Sequence, residues 1–138
     1  MILVSGCLAG WNYRYKGDNK ENEKIVQLIR EGKAIPVCPE QLAGLPTPRK
    51  ACEGPINGKI ISEDGEDFTE IFTKGAEATL ELCKKYNCDK VILKAYSPSC
   101  GSDKIYDGNF NGVLIDGAGI TAKLLKENGI EVISEKEI

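Results

Sequence analysis

Met1-Ile2-Leu3-Val4-Ser5-Gly6-Cys7 runs from four apolar residues into a Ser-Gly turn and a thiol. A short apolar run bounded by turn residues reads as a buried strand. The same pattern returns at Ala34-Ile35-Pro36-Val37, Lys90-Val91-Ile92-Leu93-Lys94 and Ile130-Glu131-Val132-Ile133. Helical patterns separate these runs. The first spans about Glu21 to Glu31, with Ile25, Leu28 and Ile29 on one face and Gly32 as a stop signal. The second spans about Thr69 to Tyr86 behind Asp67 as an N-cap, and the third spans about Gly119 to Asn128, ending at Asn128-Gly129. Strand–helix alternation predicts parallel strands with crossover helices, hence a doubly wound α/β sheet. Lys59-Ile60-Ile61-Ser62 suggests a small hairpin after a Pro- and Gly-rich stretch, and Gly101 to Gly119 reads as a second long loop.

Length and charge narrow the function. A chain of 138 residues fits one domain, residues 1–138, with room for a substantial core. Its 18 basic and 21 acidic residues leave a formal charge of -3, and no basic block interrupts them. That pattern gives no nucleic-acid footprint and favours a small polar substrate. The apolar opening is short and lacks a basic leader or a small-residue cleavage site, so a cytoplasmic protein that does not enter a membrane is expected. Six cysteines in a reducing compartment point to metal, catalysis or burial rather than to disulfides. The absence of histidine excludes Ser-His and Cys-His nucleophile pairs and His-ligated zinc.

Cys7 follows the first predicted strand, Cys38 ends the second and Cys100 follows the third, all at carboxyl ends, where ligands of open α/β sheets gather. Their thiols are therefore expected to meet in one crevice. Cys83, on the second helix, and Cys88, in the turn before the third strand, fall at the opposite edge and read as core residues. Cys52 lies in a loop that can approach the crevice. Three soft sulfur ligands suit either an iron–sulfur cluster or a zinc ion with an open position. Without a Cys-x-x-Cys pair a zinc ribbon is disfavoured, whereas ligands spread over three strand ends can surround a cubane and leave one iron free.

The chain resembles the thiouracil desulfidase-like family over nearly its whole length. The resemblance rests on Val4-Ser5-Gly6-Cys7-Leu8-Ala9-Gly10 with Arg14-Tyr15, on Pro36-Val37-Cys38-Pro39-Glu40, and on Gly44-Leu45-Pro46-Thr47-Pro48-Arg49. It continues through Ser97-Pro98-Ser99-Cys100-Gly101, Ile105-Tyr106-Asp107-Gly108 and the stretch from Gly117 to Leu125. It implies a single-domain, Rossmann-like three-layer fold with a small, mainly parallel sheet. It also implies a 4Fe-4S cluster on Cys7, Cys38 and Cys100, and removal of sulfur from a thiolated pyrimidine. Glu40 would be the acid/base and Ser97 a helper hydroxyl. Many relatives carry Cys where this chain has Tyr13, Asp where it has Lys16 and Gly where it has Ala43.

The expected reaction is water attack on a thiocarbonyl carbon whose sulfur binds the open iron, with no net redox change. Tyr13, Arg14, Lys94 and Ser99 are the expected substrate contacts. Several of the expected site residues also have a structural reading: Arg14 in loop packing, Lys94 in charge neutralisation or solvation, Ser97 and Ser99 in holding the turn around Pro98, and Glu40 as a loop carboxylate or helix cap. The Gly117-Ala118-Gly119 run is a tight turn or a weak anion cradle. A non-catalytic cluster module, a persulfide carrier on Cys100 and a zinc protein use many of the same residues. A homodimer and any acceptor of released sulfide are left open.

Overall fold

The computed structural model describes residues 1–138. In chain order it contains β1 (Ile2–Ser5), a 3-10 turn (Gly6–Ala9), α1 (Glu23–Arg30), β2 (Ala34–Val37) and α2 (Pro39–Leu42). There follow β3 (Cys52–Ile56), β4 (Lys59–Ser62), α3 (Thr69–Lys85), β5 (Lys90–Leu93), β6 (Lys104–Tyr106) and β7 (Leu114–Asp116). α4 (Ile120–Glu127), β8 (Glu131–Ser134) and a closing 3-10 turn (Glu135–Glu137) complete the chain. The four strands expected from the apolar runs form one parallel sheet in the order β2-β1-β5-β8. The architecture is α/β and Rossmann-like.

Alternation along the central strands explains the three layers. Leu3, Val91, Leu93 and Val132 project to one face and pack with Ala122 and Leu125 of α4 and Cys83 of α3. Val4, Ala34 and Ile92 project to the other and pack with Leu8 and Ile25. A sheet covered on both faces needs apolar residues at successive positions, which is why its strands read as unbroken apolar runs.

The helices start and stop where local chemistry directs. The Asn22 side chain accepts from the amides of Lys24 (3.0 Å) and Ile25 (3.4 Å), capping α1, and Gly32 beyond its end takes a φ of +72°. Asp67 stands one residue further out than a simple N-cap, because Phe68 occupies that position, yet its carboxylate accepts from the Thr69 amide at 2.8 Å.

Three local features differ from the sequence expectation. Cys38 lies past β2 and caps α2, a single helical turn begun by Pro39. Lys94 lies past the end of β5. The Gly-rich stretch after Cys100 is not all loop, since β6 and β7 pair in it as an antiparallel hairpin. The expected hairpin around Lys59–Ser62 does form, with β3 and β4 antiparallel.

Chain order reverses between β1 and β5: the path leaves β1 outward to β2, then returns across the sheet to β5 and β8. The loops after β1 and β5 therefore diverge, and a crevice opens at their carboxyl ends. Gly75 of α3 sets the height of one wall. A Cβ there would fall 2.2 Å from the Pro39 carbonyl oxygen and 3.3 Å from the Ala43 Cβ, so α2 rests directly on the helix backbone. Gly75→Ala is expected to push α2 outward and cost about 1–3 kcal/mol, read as a lower denaturant midpoint with an unchanged slope.

Candidate active site

The crevice is a cavity of about 220 Å³ whose lining includes Cys7, Cys38 and Cys100. Each thiol is delivered by a short, locally determined turn. Gly6 lets the Tyr13 ring lie on the backbone just before Cys7: a Cβ at position 6 would meet that ring at 2.4 Å. Cys38 keeps extended dihedrals (φ -133°, ψ 111°) because the proline after it disfavours helix at the preceding residue. Cys100 sits in a turn tied by Ser97, whose hydroxyl oxygen accepts from the amides of Ser99 and Cys100, both at 3.0 Å. Ser5 links the first and third turns: its hydroxyl accepts from the Lys94 amide (2.9 Å) and approaches the Cys100 sulfur (3.8 Å).

The three thiols act on one another electrostatically. Burial, then the neighbouring Cys38, pushes the Cys7 thiol up to about 11. Burial raises Cys100 further, reinforced by Cys38, Glu40 and Cys7. Burial also raises Cys38, opposed by the Gln41 amide. Three desolvated thiols that resist ionising together match the donor set of a cationic group, whose charge removes that resistance. No three thiols or carboxylates converge on one point as the ligands of a single ion do. All three thiols border the one cavity.

Glu40 stands beside them on α2, with only 14% of its side chain exposed. The Arg49 Nε donates to Glu40 Oε2 at 2.6 Å, and Nη2 donates to the same oxygen. Arg49 also donates to the Tyr13 carbonyl (2.8 Å) and the Thr47 hydroxyl (3.1 Å). The pair therefore ties α2 to two loops, the one carrying Arg49 and Thr47 and the one carrying Tyr13. Burial pushes the Glu40 carboxyl up and the Arg49 guanidinium pulls it back, with burial the larger effect. Glu40 Oε1 accepts no hydrogen bond from the protein.

The remaining expected site residues divide. Tyr13, Arg14, Lys94 and Ser97 line the cavity. Arg14 is paired with Asp18 (2.8 Å), and Lys94 is paired with Glu135 (2.9 Å) rather than left to solvent. Ser99 does not line the cavity: it is buried, and its hydroxyl bonds to that of Thr121 at 2.7 Å. The Gly117–Gly119 run is neither a tight turn nor a cradle but irregular backbone leading into α4, with Gly119 extended (φ -61°, ψ 156°). The amides of Gly119, Ile120 and Thr121 go to the carbonyls of Gly101, Pro98 and Ser99, leaving none of these three for an anion. Cys52 does line the cavity, and burial, then Glu40, raises its thiol to about 12. Cys83 and Cys88 are core residues, as expected.

Sequence reasoning did not single out Arg49, Ser5 or Glu135. Arg49 closes the Gly44–Arg49 motif, so a signal existed; its contact with Glu40 spans a turn that no periodicity reports. Glu135 lies after the last strand and reaches back to Lys94 and to the Ala95 amide (2.8 Å).

The sequence model described as 2-thiouracil desulfurase matches residues 2–137. The chain belongs to the 2-thiouracil desulfurase family. The uncharacterized protein YbbK of Bacillus subtilis (strain 168) is 48% identical over 147 residues, covering 100% of this chain and 97% of the relative. A solved structure of the [4Fe-4S]-dependent thiouracil desulfidase TudS matches with a TM-score of 0.93 and 42% identity, over 99% of this chain and 91% of that one. No helix of this family member is long and apolar enough to cross a membrane.

Removing the Arg49 charge strands a buried carboxylate. Arg49→Leu is expected to cost roughly 3–5 kcal/mol of stability in denaturant unfolding. Adding Glu40→Gln should recover part of that loss, because a neutral amide needs no counter-charge.

Proposed function

We propose that the protein removes sulfur hydrolytically from a thiolated pyrimidine or a similar small thiocarbonyl compound, using a 4Fe-4S cluster held by Cys7, Cys38 and Cys100. The supporting observation is that three thiols and a half-free carboxylate line one cavity, in a chain 42% identical to a [4Fe-4S]-dependent thiouracil desulfidase. Bound there, the cluster would supply a Lewis-acidic iron for the thiocarbonyl sulfur.

The chain's own groups provide the proton chemistry. Arg49 fixes Glu40 through Oε2, so Oε1 is the atom available to accept a proton from attacking water and pass it to the ring nitrogen. Burial favours the protonated form of this carboxyl, which lets one group serve in both directions. Ser97 lines the cavity, and because its oxygen accepts two amides its proton remains to be donated toward the substrate. Tyr13 and Arg14 supply an aromatic and a planar cationic surface on the wall. Water replaces sulfur at carbon, a carbonyl forms, and hydrogen sulfide leaves with no change of oxidation state.

Anaerobically purified protein is expected to contain iron and inorganic sulfide in equal amounts and to release sulfide from 2-thiouracil. Stoichiometric zinc without iron would overturn the assignment. Alanine at Cys7, Cys38 or Cys100 should abolish iron binding, measured by metal analysis and loss of visible absorption. Glu40→Gln is expected to keep the iron and lower kcat by about 10²- to 10⁴-fold. Undiminished turnover would remove Glu40 from the mechanism.

A further inference from the structure

Two buried thiols have no part in this chemistry. Cys83 and Cys88 lie where α3 ends and β5 is about to begin, at the amino end of β5, whereas the cavity opens beyond its carboxyl end. α3 closes with a pair of reverse hydrogen bonds: the Cys88 amide donates to the Cys83 carbonyl (2.8 Å) and the Asn87 amide to the Lys84 carbonyl (3.3 Å). Asn87 between them takes a left-handed φ of +52°. This is a Schellman closure, in which the side chains joined by the longer loop commonly meet in an apolar contact. Here both are cysteines, 1% and 5% exposed, in one apolar cluster. The 2.8 Å contact, with the covalent reach from each atom to its own Cα, holds the two Cα atoms within about 6.7 Å, inside the span a disulfide bridges.

We propose that Cys83 and Cys88 are a dithiol that closes to an intrachain disulfide on exchange with a low-molecular-weight disulfide. The Cys88 thiolate, the less buried of the two, attacks one sulfur of the reagent; one reagent thiol leaves and a mixed disulfide remains on Cys88. The Cys83 thiolate then attacks the Cys88 sulfur and releases the second reagent thiol. Two protein thiols give up two protons and two electrons, and one reagent disulfide becomes two thiols. The hydrogen bonds of the helix end hold the two cysteine backbones within bridging distance, so once the helix end opens enough to admit the reagent the second thiol is the nearest nucleophile to the mixed disulfide. Burial raises both thiols above their ordinary value, which lowers the thiolate fraction and slows the exchange, so the oxidation is read at equilibrium.

The test uses the cluster-loaded protein, equilibrated anaerobically in oxidised and reduced glutathione of increasing oxidising strength until its composition stops changing. Free thiols are then alkylated and tryptic peptides mapped. Trypsin cleaves at Lys84 and Lys85, so a bridge joins two peptides that otherwise separate. The expected result is a fall of about tenfold in the separately alkylated Cys83 and Cys88 peptides, matched by a joined peptide that dithiothreitol reverses. Cys83→Ser should leave Cys88 carrying one glutathione. Both thiols still alkylated in the most oxidising buffer, or glutathione retained on Cys88 of the unsubstituted protein, overturns the proposal. Sulfide release from a thiolated base is a separate readout, so either outcome here stands apart from the reading of the cavity.

Discussion

The site exists because β1 and β5 are neighbours whose chains leave the sheet in different directions. Backbone pairing joins Leu3 to Val91 and Val4 to Ile92. At Ser5 a side chain takes over: its hydroxyl receives the Lys94 amide and reaches the Cys100 sulfur. One residue therefore ends the pairing, satisfies the first amide beyond it, and orients a thiol. The crevice that follows receives Cys7 from one side and Cys100 from the other, while β2, on the far side of β1, brings Cys38 and Glu40. Everything functional in the fold hangs on that divergence.

Charge is arranged in the cavity wall by pairing. Arg14, Arg49, Lys50 and Lys94 all line it, and each has a carboxylate partner: Asp18 for Arg14, Glu40 for Arg49, Asp64 and Glu66 for Lys50, and Glu135 for Lys94. Long cationic side chains cost side-chain entropy when ordered, and a fixed partner restrains them before any ligand arrives. The wall is thus preorganised, with Glu40 held in one orientation by an arginine that is itself fixed by Thr47 of its own loop and by the carbonyl of Tyr13 in another. Preorganised groups of this kind need little rearrangement during a reaction.

The strands and the grouping of Cys7, Cys38 and Cys100 were legible in sequence because both follow from local signals: apolar runs bounded by turn residues, and thiols placed just after them. α1, α3 and α4 were legible from helical spacing and from Asn, Asp and Gly at their ends. α2 was not, since four residues are too few to show a period. The β6–β7 hairpin was hidden by its glycines, and its strand β7 is exposed along its length, so it carries no core-facing pattern. Ser99 and Arg49 show the deeper limit. Whether a hydroxyl faces a cavity or Thr121, and whether an arginine meets solvent or Glu40, depends on contacts between separate segments, which composition and spacing do not encode.

Gly6 has ordinary backbone dihedrals for a side-chain-bearing residue, as it is not among the glycines of positive φ. Glycine is demanded there by the Tyr13 ring alone, which fills the place a Cβ would occupy. Positions 6 and 13 are consequently bound by a shared volume. A family member with cysteine at the position of Tyr13 has lost that ring, and the space over residue 6 can then take a small side chain such as serine. The two positions should covary across the family, small beside small or glycine beside aromatic, and divergence at one cavity wall would leave its trace in the turn that carries the first cysteine.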